Sequence, residues 1–427
     1  MSTFDLGPFP GASGFEAAVE LDRSDPLGGF RERYVFTDPD LIYLDGNSLG
    51  RLPAAAPTLV DRVVRHEWGE SLIRSWNEGW WDLQLAIGDR LAPLIGAAPG
   101  EVIISDSTSV NLYKLAIAAM RARPGRTRIV TDNTNFPTDV YVLTGVAEAH
   151  GATLDVIPVE GESDPAAGLE AALDDATALV SLSHTTFKTG FTHDLGRMTG
   201  LVHEIGALVL WDLSHSVGVV PIDLEGAGAD LAVGCTYKYL NGGPGSPAFL
   251  YVRRSLQDSL ANPITGWWGH ADPFAFELDF RPADGIRKFH TGTMPVLSLA
   301  AIDAGLTDVA EAGIDRLRAK SISLTTFFID QSRQHLEGLG FELETPPDPS
   351  VRGSHVSLSH PDAWPIDRAV IELGKVIPDF RAPDNLRFGL APLYNSHMDV
   401  HTAIQRIKAI VESGDLADFE ARNVKVT

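Results

Sequence analysis

The chain has 427 residues, with 34 Lys or Arg against 57 Asp or Glu, for a net charge of −23. A surface this acidic repels nucleic acid and anionic membranes, so neither is expected as a partner. The length suits two domains or one large domain with an appendage, and the single cysteine, Cys235, excludes an intrachain disulfide and fits a reducing compartment.

The opening Met1-Ser2-Thr3-Phe4-Asp5-Leu6-Gly7-Pro8 lacks the basic and apolar regions of a signal peptide. No uncharged apolar run reaches the length of a membrane span, so a cytoplasmic protein is expected. Residues 1–40 are rich in Gly, Pro and Asp and read as an N-terminal arm with a short helix at Gly14–Arg23. From residue 100, seven apolar strand-like runs follow, at 101–105, 128–131, 153–159, 178–183, 208–213, 231–235 and 248–252. Helical patterns at 110–121, 139–150, 166–173 and 195–204 separate the first five. This alternation predicts a large α/β domain over 41–295, with a mainly parallel sheet covered on both faces. A smaller α+β domain is predicted over 296–427. It has a long helical stretch at 297–336 broken at Gly313, strands at 341–345, 355–359 and 386–389, and helices at 366–373 and 398–411. Pro346-Pro347-Asp348-Pro349 is a loop inside it.

Ligands of such sheets bind beyond the carboxyl ends of the strands. Ser183, Asp212 and Lys238 all fall at or just after predicted strand ends. A lysine there can form a Schiff base with pyridoxal phosphate (PLP), and an aspartate can pair with the pyridinium nitrogen of the same ring. Most Asp and Lys residues lie on solvated surface, so the pair gains weight only from its surroundings. Lys238 stands in Tyr237-Lys238-Tyr239-Leu240-Asn241-Gly242-Gly243-Pro244-Gly245, where glycines permit close backbone approach. Cys235, just before it, reads as a packing residue.

Other segments are ambiguous alone. Thr108 and Ser109 open a helix after the first strand, which suits a phosphate or an ordinary N-cap. In Asn135-Phe136-Pro137-Thr138-Asp139, Phe136 can stack on a planar ring or staple a helix. Ser183 can reach a phenolic oxygen or close a turn. His215, one turn past Asp212, can orient that carboxylate, and Tyr237 can shuttle protons or fill a core. Arg387, inside an apolar strand, calls for a partner. A substrate carboxylate and a structural ion pair explain it equally well. The loops at 266–270, with Trp267, and 289–295, with Thr293, read alone as packing loops. No GxGxxG after a strand, P-loop, HExxH or CxxC occurs, so no nucleotide site of those kinds and no metal is expected.

Taken together, these segments resemble the kynureninase family, fold-type-I PLP enzymes of aminotransferase class V, and its bacterial members in particular. The blocks run from Tyr43-Leu44-Asp45-Gly46-Asn47-Ser48-Leu49-Gly50 through Leu72-Ile73-Arg74-Ser75-Trp76 and the Phe136, Asp212 and Lys238 motifs. They end at Arg387-Phe388-Gly389-Leu390-Ala391-Pro392-Leu393-Tyr394. The resemblance implies that Lys238 carries PLP, with Asp212 on the ring nitrogen and His215 beside it. Thr108, Ser109 and Tyr237 would hold the phosphate. Phe136 would stack on the ring, with Asp139 closing that motif and Ser183 near the ring oxygen. It implies a homodimer, in which Trp267 and Thr293 reach the partner subunit's cofactor. Ser48, Trp76, Phe187 and Arg387 would face the substrate, Arg387 gripping its α-carboxylate. The catalytic set would be Lys238, Tyr237 and Asp212. Animal members carry Ser-Asn where Gly292-Thr293 stands here, and a histidine near Trp76, so unsubstituted L-kynurenine is the expected substrate. The implied reaction is hydrolysis of L-kynurenine to anthranilate and L-alanine, a step of tryptophan catabolism. Two rival readings are a cysteine desulfurase or selenocysteine lyase, which needs a mobile-loop cysteine, and a non-catalytic PLP-binding regulator.

Overall fold

The computed structural model describes residues 14–159, 165–414, 416 and 419. The first thirteen residues of the expected arm and the remaining C-terminal residues of the expected small domain lie outside them. Large-sheet strands follow a two-residue strand, β1 (Ile42–Tyr43). They are β2 (Val102–Ile104), β3 (Arg128–Asp132), β4 (Thr153–Ile157), β5 (Thr177–Ser183), β6 (Leu208–Asp212), β7 (Leu231–Gly234) and β8 (Phe249–Val252). The smaller region adds β9 (Glu342–Leu343), β10 (His355–Ser359), β11 (Val376–Ile377), β12 (Asp379–Arg381) and β13 (Asn385–Gly389).

β2 to β8 form one seven-stranded sheet in the order β2-β8-β7-β6-β5-β3-β4. These are the seven runs predicted from apolar patterning. The joints from β7 through β6, β5 and β3 to β4 are parallel, and those of β8 to β2 and β7 are antiparallel. β5 to β8 are buried at every residue, as strands covered by helices on both faces must be. The order turns around between β5 and β3, and the carboxyl ends of β5, β6 and β7 lie side by side there. The smaller sheet is antiparallel, β12-β13-β10-β9.

Packing divides the chain differently from the sequence pattern. The helix Val296–Ala312, expected in the small domain, buries Leu299, Ile302, Leu306 and Val309 with the large-sheet core. The helix Gly14–Arg23, expected in a separate arm, buries Ala17 and Ala18 among Phe327, Phe328 and Phe388 of the small domain. Helix breakage at Gly313 follows the expectation, with a φ of +77° that suits glycine. We propose a division in which the small domain begins within Ile314–His335 and includes the described N-terminal helix. Residues 50–100 carry no predicted element, yet they form a helix at Ala56–Arg62 that runs into a π-helix at Val63–Ser71, then short turns and helices at Ser75–Glu78 and Leu83–Leu91. β1, β11 and β12 are also absent from the sequence reading. Strands of two or three residues hold too few positions for alternation to show.

A loop after β5 ties the large-sheet region to the smaller sheet. Residues 184–193 follow β5 in the large domain, yet Thr192 N donates to Val351 O (2.9 Å), Gly353 N to Gly190 O (2.8 Å) and Thr345 Oγ1 to Thr189 O (2.7 Å).

Candidate active site

β7 ends at Gly234, and the chain turns through Cys235 to Gly242. Gly242 N donates to Thr236 O and Asn241 N to Lys238 O, each at 2.9 Å, with Asn241 at φ +55°. This turn lifts Lys238 clear of the sheet, at the end where β6 delivers Asp212. Lys238 Nζ lies 2.9 Å from His215 Nε2 and 6.0 Å from the centre of the Phe136 ring. Gly50 N donates to Tyr237 O at 2.7 Å, and a Cβ at Gly50 would overlap Lys238 O. Glycine is the residue that lets this second segment lie against the lysine turn.

Asp212 Oδ1 accepts from Ser214 N at 2.8 Å, which fixes the carboxylate at the end of its strand. Asp139, in the first turn of the helix Pro137–His150, is 2 % exposed. Burial, reinforced by the Asp212 charge, pushes the Asp139 carboxyl well above the usual range. One buried carboxyl here therefore carries a proton. A side-chain hydrogen bond between Asp139 and Asp212 adds to the rise. His215 is fully enclosed, and burial together with Lys238 pushes it far below the usual imidazole range, so its ring is neutral. Tyr237 is pushed up by neighbouring Cys235 and by burial, so its phenol keeps its proton.

A single cleft is lined by Asn47, Ser48, Thr108, Ser109, Phe136, Thr138, Asp139, Asp212, Ser214, His215, Tyr237, Lys238, Arg381 and Arg387. Ten of the residues singled out from sequence meet there: Ser48, Thr108, Ser109, Phe136, Asp139, Asp212, His215, Tyr237, Lys238 and Arg387. The cap of the helix Thr108–Ala122 is Ser107, whose Oγ accepts from Val110 N at 3.4 Å. Thr108 and Ser109 are thus not the cap, and both face the cleft. Phe187 meets Phe136 edge-on, with ring centres 5.2 Å apart. Arg387, 1 % exposed, is paired: Nη2 donates to Asp379 and Nη1 to the carbonyl of Phe187. The two readings of this arginine therefore hold together, for it makes a structural ion pair and also lines the cleft.

Other sequence candidates lie elsewhere in the single chain. Ser183 stands level with Asp212 across β5 and β6, and its Oγ donates to Asn135 Oδ1 at 2.5 Å, which draws the hydroxyl away from the cleft wall. Trp76 packs against Trp80 and Trp268, at 5.3 and 5.2 Å between ring centres, and the aromatic cluster holds it off the cleft wall. Trp267 joins the same cluster, 4.8 Å from Trp268, and is 43 % exposed. Thr293 lines a second cleft that shares Thr108, Ser109 and Tyr237 with the first. Sequence reasoning passed over Asn47, Thr138, Ser214 and Arg381, and also Asp379, which anchors Arg381 and Arg387. Asn47 and Thr138 lay inside motifs already singled out. Nothing in its local pattern marked Asp379, because its role depends on strand pairing far along the chain.

The donor set fits PLP. The cleft holds an amine for an aldehyde, a buried carboxylate for a ring nitrogen, an aromatic face for a ring, and hydroxyls at a helix start for a phosphate. His215 Nδ1, buried and without a hydrogen-bond partner among the described residues, is a polar atom that a bound polar group would satisfy. Lys238, Asp212, His215, Phe136, Thr108, Ser109 and Tyr237 are the residues that would hold it.

Comparison with known proteins agrees with this geometry. The aminotransferase class-V family model matches residues 86–357, and the kynureninase C-terminal domain model matches residues 317–407. The kynureninase of Pseudomonas fluorescens is 45 % identical over 414 residues, 95 % of this chain and 98 % of that protein. The kynureninase of Burkholderia pseudomallei (strain K96243) is 44 % identical over 403 residues, 93 % of this chain and 95 % of that protein. Among solved structures, a cysteine desulfurase from Escherichia coli superposes with a TM-score of 0.77 at 18 % identity, covering 91 % of this chain and 98 % of its own. A C-DES mutant with glycine covalently linked to its PLP cofactor gives a TM-score of 0.76 at 17 % identity, covering 87 % and 97 %. Those two likenesses establish the fold alone. The end-to-end identity with the two bacterial enzymes places this chain in the kynureninase family, within aminotransferase class V.

Proposed function

We propose that this chain is a PLP-dependent hydrolase that cleaves the Cβ–Cγ bond of L-kynurenine, giving anthranilate and L-alanine. The observation that carries the reading is identity across nearly the whole chain to kynureninases, in a chain whose Lys238, Asp212 and Arg387 line one cleft. When bound, PLP supplies a ring that accepts the electrons released by bond cleavage at the substrate's amino-acid carbons.

Lys238 would hold that cofactor through Nζ, and the same amine, standing over the cleft, would be the base for the substrate's Cα proton. Asp212 would keep the ring nitrogen protonated, and burial, which favours the neutral form of Asp139, spares the site a second buried negative charge. His215, neutral, accepts from Lys238 and keeps the amine over the cleft. Tyr237 retains its phenolic proton and moves it in the later steps. Water adds to the aryl ketone, and the scission releases the acyl half as anthranilate. The decisive experiment adds L-kynurenine to PLP-loaded protein and follows anthranilate fluorescence. Absence of anthranilate overturns the reading.

The desulfurase alternative meets a chemical obstacle. Cys235 is the only cysteine in the chain, is 1 % exposed, and burial pushes its thiol up. It has neither the exposure nor the mobile loop needed to take sulfur from a substrate.

A homodimer and a cytoplasmic location are part of the same proposal. The run from Trp267 to Phe280 leaves Phe274, Phe276 and Leu278 at 59, 80 and 104 % exposure, an apolar surface that a second copy would cover. Light scattering tests the stoichiometry. No helix among the described residues is long and apolar enough to cross a membrane. The unpaired cysteine supports a reducing compartment.

A further inference from the structure

We propose that Lys114 is a positioning residue that masks the charge of Asp106 and so keeps the groove for the cofactor's phosphate open to an anion. The inference rests on the phosphate site assigned above to Thr108, Ser109 and Tyr237, and extends it to a buried lysine that no motif marked.

Thr108, Ser109 and Tyr237 belong to two clefts at once. The second is walled largely by hydroxyls, glycines and prolines. Asp106 is the one carboxylate on its wall among the described residues, and no Lys, Arg or His lines it. A bare carboxylate there would repel a phosphate, and more strongly in a partly buried groove than in water.

Lys114 stands behind that wall. It lies in the helix Thr108–Ala122 and is fully buried. Its Nζ donates to Asp106 Oδ2 at 2.7 Å, to Phe289 O at 2.8 Å and to Ser105 Oγ at 3.3 Å, so every N–H of the ammonium is used. Asp106 is held in place to meet it. Its backbone takes a φ of +46°, uncommon outside glycine. Its carbonyl accepts from Ala248 N at 2.8 Å, and Thr291 Oγ1 donates to its Oδ1 at 3.0 Å. Lys114 thus joins the two segments that frame the groove, the helix start bearing Thr108 and Ser109 and the loop from Phe289 to Thr293.

Charge explains why a lysine stands here. Burial works against ionisation of Asp106, yet Lys114, with the Ser105 and Thr291 hydroxyls, outweighs it and holds the carboxyl below its usual range. Asp106 is therefore an anion, with 24 % of its side chain exposed, and Lys114 is the cation in contact with it. Burial also draws Lys114 down from the usual lysine range, and Asp106 opposes the fall. Packing alone needs no ammonium, because an apolar chain of the same size fills the space without the cost of burying a charge.

The test titrates PLP, and separately pyridoxal, which lacks the phosphate, into full-length protein freed of cofactor, and follows the Schiff-base absorbance of Lys238. Lys114→Met keeps an unbranched chain but uncovers Asp106. It is expected to raise the dissociation constant of PLP about tenfold or more and to leave that of pyridoxal within about twofold. Combining Lys114→Met with Asp106→Asn removes both charges while keeping an acceptor for Thr291, and is expected to recover most of the PLP affinity. Asp106→Asn alone leaves Lys114 uncompensated beside the groove and is expected to bind PLP at least as tightly as wild type. Unchanged PLP affinity or equal weakening toward both ligands in Lys114→Met, no recovery in the double variant, or weaker PLP binding in Asp106→Asn overturns the proposal. If Lys114→Met does not fold, Asp106→Asn decides. A wild type with no preference for PLP over pyridoxal overturns the phosphate site itself, a result distinct from any of the variant outcomes.

Discussion

Lys238 Nζ lies 2.9 Å from Nε2 of His215, a ring that burial and the lysine itself keep neutral. The imidazole accepts from the amine and cannot compete with it as a cation. Lys238→Ala is expected to abolish steady-state turnover while the protein stays folded, since this side chain holds up no part of the core. Turnover that survives in this variant removes Lys238 from the mechanism.

The two buried carboxyls should respond differently to the same substitution. Asp139 is held protonated, and an amide resembles a neutral acid in shape and polarity. Asp139→Asn is therefore expected to keep most activity. Asp212→Asn should lose several orders of magnitude, because an amide cannot keep the ring nitrogen protonated. Comparing kcat of the two variants checks this. Equal losses would mean that the proton is misassigned, and a milder effect for Asp212→Ala than for His215→Ala would reverse those two roles.

Arg387→Lys keeps the charge but loses the planar fork. KM for L-kynurenine is expected to rise roughly tenfold, about 1.4 kcal/mol, with the cofactor's absorbance unchanged. An unchanged KM would leave Arg387 with its Asp379 ion pair alone.

Gly389 closes β13, and its N donates to Leu44 O at 2.6 Å. A Cβ there would overlap the side chain of Asn47, itself fully buried. Gly389→Ala is expected to cost about 1–3 kcal/mol of stability, the usual range for overpacking. Denaturant unfolding of the two proteins measures it. A cost near zero would mean that the 45–50 segment yields.

The Cys235 thiol is buried and its ionisation is suppressed. Native protein is expected to leave a thiol-reactive dye uncoloured, and denatured protein to release one equivalent. Rapid reaction in the native state would reopen the sulfur-transfer alternative.

The large sheet was legible because its strands are long enough, and apolar enough, to stand out. β5 to β8 are buried throughout and interrupted by helices whose period differs. The positions of Asp212 and Lys238 at strand ends followed directly. Residues 50–100 were not legible: they form short helices and a π-helix whose exposed Trp68, Leu72 and Ile73 blur any apolar face. Ser183 shows the limit of reading a strand end. Its position was right, but which neighbour its hydroxyl finds depends on Asn135, forty-eight residues earlier. Asp379 was invisible for the same reason, because its partners come from β13 and from Ser48.

The segment Asp45 to Gly50 touches both ends of the chemistry. Gly50 rests against the backbone of Lys238, while Asn47 rests against Gly389 and Ser48 reaches Asp379. Neither glycine contact leaves room for a methyl group, so the segment acts as a fixed-length gauge between the amine and the arginines. Such a gauge measures the amino-acid half that every substrate of this chemistry shares. Selectivity for the ring can therefore drift through substitutions elsewhere while the spacing of amine and carboxylate stays constant.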